Sequence, residues 1–372
     1  MAIGTGKGSE HQLVRLDVNG NRTAGLFLPT RVDSDNSDRF TIYPLADGGV
    51  LEVNTQRRTQ FERACILRSV TREGVLRFVR NVRQPSCSLH VGKLGRAPYL
   101  LTNIEGATVI SEDGSLASSF FAPGDSSFIR ADFVAEHELL LLRTNEARTG
   151  YVLSRAGDDG SLRWSNPLEN VRFDQNVTVR GLNDGRALVI ISGASKLQMR
   201  FYAAAGGLTE TREIAMQEAL QAGFGDWSAD AQGNLALTLR FEVAFSSESY
   251  GAILFSANAT VLKQIRYAPT DQCTQRCPLL GLAQGFANTL ATQTGGKLVL
   301  ISLLPNVANT EVILPASFGL RVANSNNANI LLTGDSDFRA FNASGAEIPL
   351  AADHPPKTAC VTWALLGSIT GC

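Results

Sequence analysis

The chain has 372 residues, 44% of them hydrophobic and 19% charged, with a net charge of −1. That balance supports a large folded core and excludes a protein drawn to nucleic acid or membrane by bulk charge. No run of about 18 apolar residues occurs, so no transmembrane helix and no membrane insertion are expected.

In chain order, residues 1–12 are expected to form an exposed leader, since they lack the apolar stretch of a signal peptide. From there a hairpin-like pattern recurs: an apolar, β-prone run, a turn cluster, and a second apolar run. The copies span 13–28, 65–79, 107–121, 151–164, 199–214, 252–265 and 338–350, with a weaker one at 298–314. Their turns centre near Gly20, Gly74, Gly114, Gly160, Gly206, Asn258, Asn306 and Gly345. A second series of turns interleaves strictly with the first, centred near positions 48, 95, 137, 185, 233, 287 and 327.

Two hairpins per step of roughly 37–54 residues is the size of a four-stranded propeller blade. The pattern predicts an all-β fold, a single β-propeller domain over 13–372. Seven complete units run from about 40 to 350, leaving the hairpin 13–28 and an apolar strand at 359–368. Those two pieces would complete an eighth blade from both ends of the chain. Seven blades with one terminal piece packed outside is the alternative.

Within the units, the continuous apolar runs Leu139–Leu142 and Ala187–Ile191 predict strands buried on both faces. In Val75–Arg80 bulk alternates with charge, as on an outer strand. Only 208–222 has helical composition, and it is expected to form a turn or two of helix between blades.

The six cysteines fall into three sequence-local pairs: Cys65 with Cys87, Cys273 with Cys277, and Cys360 with Cys372. Disulfides in these pairs would place the protein outside the cytosol, either secreted, periplasmic or at the cell surface. The short spacing of Cys273 and Cys277 also lies within zinc-finger range, although no second Cys/His pair accompanies it.

Charge is unevenly placed. Between 57 and 96, ten cations face Glu62 and Glu73 alone, a net +8. Arg77, Arg80 and Arg83 would protect an outer strand from edge pairing. Arg57, Arg58, Arg63, Arg68, Arg72 and Arg96 are expected to form a basic face for an acidic protein or an anionic polymer. Phe61 and Phe78 are the aromatic residues that interleave, too few for a nucleic-acid stacking platform.

The acidic loop Asp33, Asp35 and Asp38 offers oxygen ligands in the manner of a calcium loop. Its sixth and twelfth positions carry Asp38 and Pro44, however, where such a loop needs glycine and glutamate. No metal is assigned. His11, His90, His137 and His354 show no metal-ligand spacing, and no nucleophile-elbow, zinc-protease or Walker motif occurs.

The copy at 151–164, with Leu153, Asp159, Gly160, Leu162 and Trp164, resembles the blade hairpin of PQQ-like (quinoprotein-type) propellers. Asp113-Gly114 with Leu116 and Glu73-Gly74 with Leu76 repeat the core of that motif. The resemblance implies an eight-bladed ring, in a family of quinone-dependent dehydrogenases and non-enzymatic envelope scaffolds. The chain lacks the adjacent cysteine pair of the dehydrogenase branch, and Trp164 is its one blade-terminal tryptophan. No cofactor is therefore expected.

Two function classes follow. The first is a binding or scaffold module for a protein or polymer. The alternative is an enzyme acting on a carbohydrate or polyol at the channel mouth, with catalytic residues drawn from separate blades.

Overall fold

The computed structural model describes strand backbone throughout the chain. Side chains are described for parts of 45–53, for 65–82, for 97–216 apart from 104, 194 and 195, and for 223, 224, 227, 233–239 and 251–264, with a few isolated positions beyond. Among the described residues every regular element is a strand, and the strands form eight four-stranded antiparallel sheets.

Seven of these sheets are sequential meanders, spanning 39–83, 88–121, 128–167, 177–215, 223–267, 279–313 and 321–348. The eighth joins the chain ends. Its order is Arg22–Pro29, Glu10–Leu16, Ala2–Lys7, Cys360–Thr362, with Thr5 opposite Val361. The C-terminal strand thus pairs with Ala2–Lys7 rather than with the 13–28 hairpin itself. Residues 2–7 and 10–12, expected as leader, carry strand backbone, because Ala2–Lys7 lies between two partners that use its backbone groups.

The chain divides into two compact units: 1–58 with 66–77 and 225–372, and 59–65 with 78–224. The second unit holds three complete sheets, 88–121, 128–167 and 177–215, and its core lies between consecutive ones. Leu100, Val109, Phe133, Leu139 and Leu141 pack together between the first two. Leu140, Leu142, Leu153, Val179, Val189 and Ile191 do so between the next two. Adjacent leucines of Glu138–Thr144 therefore serve opposite faces, and both Leu139–Leu142 and Ala187–Ile191 are buried throughout. The fourth strands Leu116–Phe121, Leu162–Pro167 and Leu208–Ala215 are mostly exposed.

One turn recurs between third and fourth strands. The N–H groups of Thr71, Ser111, Gly157, Ala203 and Ser256 each donate to the carbonyl four residues on, at 2.8–2.9 Å. The residue at the fourth turn position needs a positive φ, and Gly74, Gly114, Gly160 and Gly206 supply it at 81–92°. In the 223–267 sheet Ala259 takes this role at φ 62°, one residue beyond the expected centre at Asn258.

The helical expectation for 208–222 is corrected over its described part. Leu208–Ala215 is the fourth strand of its sheet, paired from Tyr202↔Leu208 to Lys196↔Ala215. Its good helix formers also alternate with period two. Glu210, Arg212 and Ile214 turn inward, and the Arg212 guanidinium lies 4.6 Å from the Phe201 ring centre. A waiting edge of unpaired backbone outweighs helix propensities of a few tenths of a kcal/mol per residue.

Candidate functional site

The expected basic face is only partly described, and part of it is not on the surface. Arg68 is buried on the third strand of the 39–83 sheet, where its Nη1 donates to Glu52 Oε1 at 2.9 Å. That is a correction: its charge is spent inside the sheet. Arg77 is paired with Asp47 at the turn before the second strand. Arg72 and Arg80 are exposed. The side chains of Arg57, Arg58, Arg63, Arg83, Lys93 and Arg96 lie outside the described residues, as do Asp33, Asp35 and Asp38.

Cys65 is fully buried and disulfide-bonded. Cys87, the partner expected for it, and Cys273, Cys277 and Cys372 fall outside the described residues. Cys360 is described only as strand backbone.

The Glu52–Arg68 pair is the most buried charge pair described. Burial pushes the Glu52 carboxyl up, against the pull of Arg68. Its Oε2 finds no hydrogen-bond partner among the described residues, so desolvation outweighs attraction.

Two polar ties join consecutive sheets of the second unit, and a third ties a sheet to the connection before it. Asp132, on the first strand of the 128–167 sheet, accepts from the Gly181 N–H at 2.7 Å and from Arg180 Nη1 at 3.1 Å. Gly181 is required there: a Cβ would collide with the Phe133 carbonyl. Arg155 holds Glu138 on its own sheet, and its Nη1 donates to Gly185 O of the next at 2.8 Å. From the 177–215 sheet, Arg200 Nη1 donates to Glu169 O in the connection before it, at 2.7 Å. None of these groups carried a sequence signal, because each acts on a partner some 30–50 residues away.

The third-to-fourth-strand turns are covered by the preceding sheet. Trp164, seven residues after Gly157, lies over the Gly206 turn and donates its indole N–H to Ala204 O at 2.8 Å. A Cβ on Gly206 would meet the indole at 2.8 Å. Phe78, seven residues after Thr71, covers Gly114 in the same way, its ring 2.5 Å from where a Cβ would stand. Ser118, seven residues after Ser111, occupies the matching place beside Gly160, and its hydroxyl donates to Asp158 O at 2.6 Å. At that turn His137 Nδ1 lies 2.7 Å from Asp158 Oδ2. The carboxylate holds the exposed imidazole above its usual range.

No family model matches the chain, and no curated protein matches it by sequence. Solved structures do. Virginiamycin B lyase of Staphylococcus aureus matches over 81% of this chain and 93% of its own, at 12% identity and a TM-score of 0.50. A eukaryotic initiation factor matches over 93% and 94%, at 10% identity and 0.50. Dipeptidyl peptidase 4 of Porphyromonas gingivalis matches at 10% identity and 0.55, this chain covering 92% of itself but 57% of that one. The fold class is a β-propeller. At these identities the likeness is one of fold and brings no activity with it.

Proposed function

We propose that this chain is a secreted, periplasmic or cell-surface β-propeller of eight blades, PQQ-like in its blade hairpins, that serves as a protein-binding scaffold. The observation that carries the reading is the outer rim of the second unit. Three consecutive fourth strands each present an exposed leucine two residues after the positive-φ glycine: Leu116 at 51%, Leu162 at 61% and Leu208 at 54%. A solvated strand needs no leucine there, and a repeated apolar side chain on successive edges suits a contact surface. Asp132 and Arg155, by contrast, are engaged in tying sheets together.

Site-specific photocrosslinking tests this. A photoreactive residue at Leu162 should capture a defined partner, and capture should fail when Leu116 and Leu208 are changed to Ser. The same products from a control probe at exposed Glu146 would sink the reading. That all six cysteines are disulfide-bonded is tested by intact mass, which should rise by six hydrogens on reduction.

A second reading, an anionic partner, is favoured by the net +8 of residues 57–96, within which Arg80 is exposed on the fourth strand of its sheet. Binding of a polyanion such as heparin should weaken above roughly 0.1 M salt and in the double variant R72S/R80S. Salt-independent binding would dismiss it.

A further inference from the structure

The middle of the three turn junctions differs from its neighbours in two independent ways. The first is volume. Phe78 and Trp164 bring aromatic rings over the Gly114 and Gly206 turns, but the matching residue over Gly160 is Ser118. Its hydroxyl replaces only the hydrogen bond, capping Asp158 O as the indole caps Ala204 O. Among the described residues, a Cβ on Gly160 would find nothing within 4 Å except Ser118 Cβ, at 3.3 Å.

The second difference is the edge itself. The fourth strands Leu76–Arg83, Leu162–Pro167, Leu208–Ala215 and Val261–Tyr267 all carry charge. Leu116–Phe121 reads LASSFF and carries none, with Leu116 and Phe121 both exposed. It pairs on one side, with Gly106–Ile110, and lies at the end of its sheet. Charges are how native edges resist strand addition, and this edge does without them.

We propose that the edge Leu116–Phe121 and the Gly157–Ser161 turn together dock an extended segment of a partner protein, which places an aromatic side chain over Gly160. The segment adds as a strand along the uncharged edge, and its ring fills the place that Phe78 and Trp164 fill at the neighbouring junctions. Main-chain hydrogen bonds supply affinity and the notch selects a planar ring that tolerates close contact with a glycine turn. The proposal deepens the scaffold reading and rests on it for the partner's class, but the notch is tested without knowing that partner.

The probe is the acetylated peptide amide Leu-Arg-Trp-Ser-Asn, which copies residues 162–166, compared with its Trp→Ala version. In amide-resolved NMR the tryptophan peptide should shift Ser118 and Gly160 saturably, and the alanine version should bind about ten-fold more weakly. Ser118→Trp fills the notch from within: it should raise Tm and abolish peptide binding. Ser119→Lys restores charge to the edge: it should leave Tm unchanged and reduce binding. A lower Tm for S118W would show that the space is not there. Equal shifts with both peptides, or none, would overturn the docking. Shifts along Leu116–Phe121 that grow with protein concentration alone would assign the edge to a second copy of this chain instead. Failure of the Leu162 crosslink with success here would reject the wider rim and keep the notch.

Discussion

Two sheets carry the same pair of residues across their second and third strands, in very different surroundings. In the 39–83 sheet, Glu52 and Arg68 are both nearly inaccessible, with side chains 2% and 9% exposed. In the 128–167 sheet, Arg155 is as buried as Arg68, but Glu138 reaches water at 27% exposure. Arg155 also spends its spare donor on Gly185 O, whereas Glu52 keeps one carboxylate oxygen without a described partner. The comparison teaches that a charge pair is as good as the fate of its remaining lone pairs and protons. Where they meet water or a carbonyl the pair ties two sheets, and where they do not the carboxyl is pushed toward its neutral form.

The largest expected effect is at the sealed pair. Arg68→Met should cost about 3–5 kcal/mol at neutral pH, measured by urea denaturation, because it strands Glu52 in the core. The direction of the Glu52 shift fixes the pH dependence. Its folded-state value lies above the ordinary 4.5, so the folded form keeps a proton that the unfolded chain has lost. Its favourable contribution is full below the ordinary value and is lost as pH rises through the folded value. The R68M deficit should therefore shrink on acidification, and a deficit equal at about pH 4 and pH 7 would break the comparison.

Arg155→Met should cost less, about 1–3 kcal/mol, since Glu138 rehydrates and the Gly185 carbonyl is the main group left bare. A loss as large as that of R68M would mean that carboxylate exposure is not what separates the two pairs.

The smallest effect sharpens the exposed limit. His137, 71% exposed, owes its raised pKa first to the hydrogen bond it donates to Asp158 and then to that residue's charge. In Asp158→Asn, the His137 titration followed by NMR should fall toward the ordinary histidine value. Asp158 favours the protonated imidazole, so any contribution to stability is full below that ordinary value and fades as pH rises through the folded one. An unchanged midpoint would show that the contact is not formed in solution.

Much of the architecture was legible because it is written in local chemistry. A turn that needs a positive φ needs glycine, and the glycines at 74, 114, 160 and 206 stand where the hairpins were expected to reverse. Alternating and continuous apolar runs separated the Leu76–Arg83 edge, exposed at Leu76 and from Val79 to Asn81, from the buried strands at 138–144 and 187–192. The candidate site was much less legible. Arg68 counted as one more cation in a basic stretch, since only its cross-strand neighbour, sixteen residues earlier, shows that it is buried and paired.

The sequence by itself determined most of the strands and the repeated turn, because each depends on backbone conformation and side-chain alternation over a few residues. Tertiary structure alone decided three further things. It made a strand of Leu208–Ala215 against its helical composition, it turned Ala2–Lys7 into the partner of Cys360–Thr362, and it set Trp164 over one turn and Ser118 over another. In each case the deciding group lies across a sheet edge or on the next sheet, 40 residues ahead for both Trp164 and Ser118. No local preference of a few tenths of a kcal/mol per residue can anticipate a backbone edge or a carbonyl supplied from that distance.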